Sequence, residues 1–432
     1  MTNRKKPRFY FTVGLLLLAL ALILFGYAII YNTTFHSTLL KLLYFFGGLF
    51  TIGAILLIVL HKKLNFPTKA EAALAISSIL FTCLLLEGMA RLFLNYLATP
   101  EQYNQYVLYT DVDPTNLQWS NHHYLNYFPT PNYVSNDGLT THNSLGFRSQ
   151  EFKIDKPIGT YRIVALGGST TYTTRVSDNN KTFTAQLEHI LRNNYNFEQV
   201  EVINAGVASY NSWESLINLA FRVIDLDPDL IIIYHGTNDV HTRFVTPDSY
   251  VGDNSGSRKQ WSNPPISIFD HSVLLRIIRR RLGFSRQASL SDFIQSEENF
   301  WGTPYLLKQA PFSPDEMLDA NPPIYFERNL VSMIGMAQAH DIEVLLTTWA
   351  YIPILGDDYT STAHYQRGFA EGNEVVQRVA AAHDTLLFDF AAVMPQDESY
   401  WSDGVHVNEA GAALKAELFA EFISQSILIP NP

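Results

Sequence analysis

The sequence predicts an α/β chain: an α/β/α sandwich with a five-stranded parallel, flavodoxin-like sheet, preceded by three transmembrane helices. Three observations predict it. The first hundred residues hold three long apolar segments. From Tyr161 onward, short apolar runs alternate with helix-like segments, the pattern of a parallel sheet covered on both faces. One of these runs, Arg162-Ile163-Val164-Ala165-Leu166, continues into Gly167-Gly168-Ser169. The glycines let the backbone turn sharply. Ser169 is thereby presented at the C-terminal end of a strand, where open α/β sheets place their sites.

Taken in order, residues 9–30 form an uncharged apolar run long enough to span a bilayer. A signal peptide is the rival reading, with Arg4 to Arg8 as its basic region. The run exceeds an ordinary signal core, and no small-residue cleavage site follows closely. Residues 42–60 make a second uncharged span, joined to the first by a short connector from Tyr31 to Ser37. The third segment, about 71–94, carries Glu87 and Arg91 four apart, the spacing that pairs on a helix. A crossing places that pair near the far interface, where Arg snorkels; an interfacial helix is the alternative. Basic residues lie before the first span and between the second and third (Lys62, Lys63, Lys69). The positive-inside rule then puts the N-terminus in the cytoplasm. Three crossings put everything after residue 97 outside the membrane, and two leave it inside.

Charge separates the parts. Eight of the 30 Lys and Arg lie within residues 1–69, and all 41 Asp and Glu follow, leaving 22 basic against 41 acidic, a net of -19. So acidic a portion is a poor nucleic-acid binder. The single cysteine, Cys83, excludes an intrachain disulfide and a cysteine zinc cluster.

Residues 98–160, rich in Tyr, Asn, Pro and Asp, read as an extended lead-in; Thr141 to Arg148 stands out within it. His122-His123 have no carboxylate spacing to support a metal site. Strands are expected at 161–166, 200–204, 229–234, 342–348 and 385–390. Helices are expected at 181–193, 211–225, 324–340, 363–382 and 407–424, giving a domain over 161–426. Residues 241–323 interrupt the alternation and read as a lid or substrate-binding cap. Within them, Arg276, Arg279, Arg280 and Arg281 mark one side of a helix. That side reads as an interfacial helix, an anion-binding face or a solvated charged face of a cap helix.

Four short stretches fall at strand ends: Gly167-Gly168-Ser169, Asn204-Ala205-Gly206-Val207, Gly236-Thr237-Asn238-Asp239, and Ser402-Asp403-Gly404-Val405-His406. In a parallel sheet they open on one edge and can converge. Acyl transfer from an ester needs a hydroxyl nucleophile, a base, a carboxylate that orients the base, and donors for the oxyanion. Ser169, His406 and Asp403 suit the first three roles. Donors are the backbone N–H of Ser169, the backbone N–H of Gly206 and the side-chain amide of Asn238. Each residue alone has an ordinary reading: Ser169 as a helix cap, Asn238 and Asp239 as turn formers. His235 and His241 flank the third stretch and can line a pocket. Neither a phosphate loop nor the Gly-x-Ser-x-Gly elbow is present, since no Gly-Lys-Ser/Thr follows and position 171 is threonine.

On these residues the chain resembles the SGNH (GDSL-type) hydrolases. Ser169, Gly206, Asn238 and His406 match the four named blocks in order, and Asp403-x-x-His406 matches the compact last block. The likeness spans roughly residues 143–424. It departs at Gly168, where the family carries Asp. Asn143 to Arg148 also resembles the lead-in of membrane-anchored members. The resemblance implies a serine esterase working through an acyl-Ser169 intermediate, with no metal and no organic cofactor. An extracytoplasmic domain on an integral membrane protein then acts on an acylated envelope carbohydrate or lipid. An acyltransferase using the same triad, and a non-catalytic protein binding acylated glycans, are the alternatives.

Overall fold

The computed structural model describes residues 6–30, 37–60, 68–113, 117–122, 124–257, 265–283, 288–292, 312–353 and 360–426. Expectations resting on Arg4, Lys5, Lys62, Lys63, the connector 31–36, His123 and residues 293–311 lie outside the described residues. The chain forms two compact units, one of residues 1–112 with 263–296, the other of residues 113–262 with 297–432.

In the first unit, α1 (Lys6–Ile30) packs against α2 (Ser37–Leu60). Small residues let the two backbones approach: Ala21 and Ala54 are fully buried, and a Cβ on Gly14 would lie 2.7 Å from Ile58 Cγ1. Helix α3 (Lys69–Tyr96) opens on a capping box, Thr68 with Glu71. Its apolar side chains, such as Leu74, Ile79 and Leu84, are exposed. Among the described residues it is the one helix long and apolar enough to cross a membrane; the apolar stretches Tyr10–Leu24 and Phe46–Leu60 are shorter.

Glu87 and Arg91 do pair, at 2.8 Å. Glu87 also accepts from Ser272 Oγ and from the backbone N–H of Val273 and Leu274, so it caps the helix Val273–Arg281. Three of the four arginines of that helix are engaged within the fold, and Arg281 is exposed. Arg276 is buried, Arg279 meets Asp270 at 2.6 Å, and Arg280 meets Asp292 at 2.7 Å. The lead-in starts as a helix, α4 (Pro100–Tyr106), where the sequence suggested extended chain. Thr99, Pro100 and Gln102 supply a capping box with proline in the first turn.

The second unit opens with a hairpin, β1 (Trp119–His122) and β2 (Asn126–Pro129). His122 accepts from the N–H groups of Tyr124 and Leu125, a turn role. The central sheet holds β3 (Tyr161–Gly167), β4 (Val200–Gly206), β5 (Leu230–Tyr234), β6 (Glu343–Thr347) and β7 (Leu386–Phe388). Its order is β4-β3-β5-β6-β7 with every pair parallel, the expected flavodoxin-like arrangement. Gly167 lies level with Gly206 on one side and Tyr234 on the other, so three strand ends open together.

Side chains alternate between the faces, as a period of two requires. Ile163, Ala165, Leu230 and Ile232 enter one apolar cluster, while Val164, Leu166, Ile231 and Ile233 enter the other. Helices α5 (Ser169–Tyr172), α6 (Phe183–Asn194), α7 (Ser212–Asn218), α8 (Thr237–His241), α9 (Ile324–Gln338), α10 (Ala363–His383) and α11 (Glu409–Ser426) follow or flank these strands. The helix expected at 211–225 is α7 followed by a π turn over 219–223 and a tighter turn over 224–226. It stops at Asp227, which takes a left-handed φ of 51°, because Pro228 follows.

Phe419 of α11 is fully buried against Phe183, Phe388 and Phe390. Phe419→Ala is therefore expected to cost about 3–5 kcal/mol of unfolding free energy. Denaturant unfolding of the full chain in detergent measures it. A loss below about 1 kcal/mol would mean that this face is not close-packed.

Candidate active site

The site lies within the second unit, at the C-terminal ends of β3 and β5. Strand β3 ends at Gly167, and Gly168 precedes α5. A Cβ on Gly168 would lie 2.7 Å from Asn238 Nδ2 and 3.0 Å from Tyr210 O. The glycine is thus required by close approach, since its φ of -88° is open to any residue.

Ser169 opens α5, yet its hydroxyl makes no capping bond. Its Oγ lies 2.7 Å from His406 Nε2 instead. His406 Nδ1 lies 2.9 Å from both oxygens of Asp403. Asp403 Oδ1 also accepts from the backbone N–H groups of Val405, at 3.0 Å, and His406, at 2.8 Å. A four-residue turn, Asp403 to His406, therefore fixes acid and base together.

Burial alone would raise the Asp403 carboxyl. The hydrogen bond and charge of His406 and the two backbone N–H groups outweigh it and hold the group well below the ordinary carboxylate range. An ionised Asp403 can only accept. His406 Nδ1 then carries the proton, Nε2 presents a lone pair, and the Ser169 hydroxyl donates to it.

Asn238, on α8, donates through Nδ2 to Tyr210 O at 2.8 Å. An amide nitrogen has two hydrogens, so a second donor remains on the group beside Gly168. Gly206 does not fill the role expected for it. Its N–H donates to Asn204 Oδ1 at 3.0 Å, and a Cβ there would lie 2.4 Å from Tyr172 N. Its glycine serves packing of β4 on α5. The turn after β4, not Gly206, approaches Gly168 and Asn238, through Tyr210; Ser209 in that turn holds a left-handed φ of 61°.

His235 and Asp239 form a separate buried cluster. His235 Nε2 lies 2.8 Å from Ser215 Oγ, and Asp239 accepts from the N–H and hydroxyl of Ser212. Burial pushes the His235 imidazole down to about 3. His241 packs edge-on against Tyr365.

Two groups of contacts have no counterpart in the sequence reading. Arg175 Nε donates to Asp403 Oδ2 at 3.0 Å, across 228 residues. The carbonyls of the turn 169–177 are met largely by side chains. Lys415 Nζ reaches Thr170 O at 3.3 Å, Asn204 Nδ2 reaches Thr171 O at 3.0 Å, and Arg148 takes the carbonyls of Tyr172, Thr173, Val176 and Ser177. Arg148 belongs to the stretch that stood out in the lead-in, but only the folded loop shows what it binds.

The sequence matches the GDSL-like Lipase/Acylhydrolase family over residues 165–414. No curated protein matches it. A GDSL-like lipase from Bacteroides thetaiotaomicron is similar in structure, with 17% identity over 63% of this chain and 92% of that one, at a TM-score of 0.36. A lipase/acylhydrolase from Enterococcus faecalis gives 18% identity over 63% of this chain and 100% of that one, at a TM-score of 0.37. An acetyl xylan esterase gives 16% identity over 61% and 99%, at a TM-score of 0.36. The family match covers more than half of the chain and contains the strand ends, Ser169 and the Asp403–His406 turn: the chain belongs to the GDSL-like lipase/acylhydrolase family, hydrolases that act on ester bonds.

Proposed function

We propose that the protein is a membrane-anchored serine esterase that removes an acyl or acetyl group from a cell-envelope glycan or lipid. The observation that carries this reading is the continuous hydrogen-bonded line from Ser169 Oγ through His406 to Asp403. As the hydroxyl attacks an ester carbonyl, its proton passes to His406 Nε2. Asp403 stabilises the imidazolium that results. The Ser169 N–H and the second Asn238 amide hydrogen receive the developing oxyanion. His406 then returns the proton to the leaving alcohol, which leaves an acyl-Ser169 ester. Water, activated by the same histidine, releases the acid.

The same intermediate serves an acyltransferase if a sugar hydroxyl replaces water. Product analysis with and without an acceptor sugar separates the two: free acid in both cases supports the esterase, and acyl-sugar with little acid supports the transferase.

The anchoring reading takes 9–30, 42–60 and 71–94 as three crossings, with the catalytic domain outside the cytoplasm. Its support is the exposed apolar surface of α3, the fit of α1 on α2 through small residues, and the cytoplasmic placement that Lys69 and its basic neighbours favour. Impermeant fluorophosphonate on spheroplasts tests site and side together. Labelling of the wild type but not of Ser169→Ala is expected before lysis. Labelling only after lysis would overturn the topology, and labelling of Ser169→Ala would overturn the nucleophile.

Gly168→Ala forces a methyl against Asn238 and displaces its amide. A loss of about 100-fold or more in kcat is expected, the scale of losing one oxyanion donor. Steady-state hydrolysis of p-nitrophenyl acetate measures it. An unchanged kcat would remove Asn238 from the oxyanion site.

A further inference from the structure

The stretch Thr141 to Arg148 stands out in the sequence, and the proposed chemistry does not use it. Arg148 is 2% exposed. Its Nη1 donates to Tyr172 O and Thr173 O, its Nη2 to Val176 O and Ser177 O, and its Nε to Asn179 Oδ1 at 2.9 Å. One guanidinium thus fixes both ends of the loop 172–177. That loop begins where Thr173 enters the left-handed region at φ 65°, and it carries Arg175. Arg175 reaches back to Asp403 Oδ2, on the side of the carboxylate that the backbone N–H groups leave open.

We propose that Arg148 and Arg175 are positioning residues of the active site: Arg148 shapes the loop after the nucleophile so that the Arg175 cation rests on Asp403 and sets the orientation and proton affinity of His406. The inference rests on the reading of Ser169, His406 and Asp403 as the triad. The lead-in is then a working part of the site, reaching it through four carbonyls and touching no substrate.

The sign of the effect follows from charge. Arg175 places a positive charge beside the carboxylate that faces His406. The imidazolium is thereby less favoured than beside Asp403 alone. Removing the cation raises the pH at which His406 loses its proton, so the neutral base that attack requires appears only at higher pH. Other titratable groups on the surrounding elements are Asp178, which acts on Arg148, Lys181, paired with Glu409 at 2.7 Å, and the buried Lys415 against Thr170 O. None is altered by the substitutions below.

The experiment follows the His406 ring by NMR in the full chain in detergent, with ring-labelled histidine and His406→Gln to identify the signal. Arg175→Gln is expected to move its titration midpoint upward, a shift kept modest because Arg175 is about half exposed. Arg148→Lys keeps the charge but loses the planar fork that spans four carbonyls. It is expected to shift the midpoint in the same direction, and the double variant to move it no further than Arg175→Gln. If Arg148→Lys does not fold, Asn179→Ala, which removes the acceptor of the Arg148 Nε–H, makes the same test.

A midpoint unmoved by Arg175→Gln overturns the proposal. So does a folded Arg148→Lys, or failing that Asn179→Ala, with the wild-type midpoint. Turnover of p-nitrophenyl acetate by the same samples keeps the two readings apart. A wild type that shows the shifts but no turnover overturns the esterase reading and leaves the positioning role standing.

Discussion

A serine hydroxyl attacks an ester only if its proton has somewhere to go, and in the reaction proposed for Ser169 that depends on the single carboxylate of Asp403. Three kinds of donor converge on it: two backbone N–H groups of its own turn, the His406 ring and the Arg175 guanidinium. Each favours the ionised form. An acceptor-only Asp403 fixes the histidine tautomer, and the tautomer fixes which way the Ser169 hydrogen points. If Asp403 were neutral, the His406 proton could sit on either nitrogen and Ser169 would lose its acceptor. Because the folded-state carboxyl lies below its unfolded value, its contribution to stability is present above the ordinary carboxylate range and is lost as pH falls below it.

That carboxylate is useful only because the sheet brings distant segments level. Parallel pairing aligns Gly167, Gly206 and Tyr234, so the loops after β3, β4 and β5 leave from one edge. The Asp403–His406 turn arrives from the far end of the chain and is held by the start of α11: Asn408 Oδ1 accepts from the N–H of Gly411, and its side-chain amide donates to Ser399 O and Trp401 O. Packing of α11 on the sheet through Phe419 and Ala416 therefore bears on the base as much as on stability.

The strands were legible in the sequence because sheets buried on both faces leave apolar runs; parallel pairing alone admits several strand orders, and the flavodoxin-like one was expected once the family likeness was in view. The residues proposed as the triad stand out in the sequence because they lie at strand ends or within one short turn. Gly206 was misread for a physical reason. A glycine at a strand end can expose a backbone donor or admit a neighbouring backbone, and the two look alike in sequence; here Tyr172 N occupies the space. Arg175 left no signal, since an exposed arginine 228 residues from its partner looks like any surface charge. Helix α4 hid behind a composition poor in periodicity, although Thr99-Pro100-Glu101-Gln102 carried the capping box.

The short helix that bears Ser169 explains why so much side-chain chemistry gathers beneath it. A helix of four residues leaves its last carbonyls without helical donors. Buried carbonyls must nevertheless be bonded. A longer α5 would satisfy them from its own backbone, but it would carry residue 175 away from the sheet edge and from Asp403. The chain turns at Thr173 instead and supplies the donors from elsewhere: Lys415, Asn204 and Arg148. Two of these are buried basic groups with no described carboxylate in contact, and burial holds Lys415 well below the ordinary lysine range. Carbonyl dipoles are the main partners of Arg148, and Lys415 Nζ lies about 4 Å from the rings of Phe183 and Tyr234. Burying such groups is costly. Their retention under the nucleophile is the counterpart of keeping α5 short.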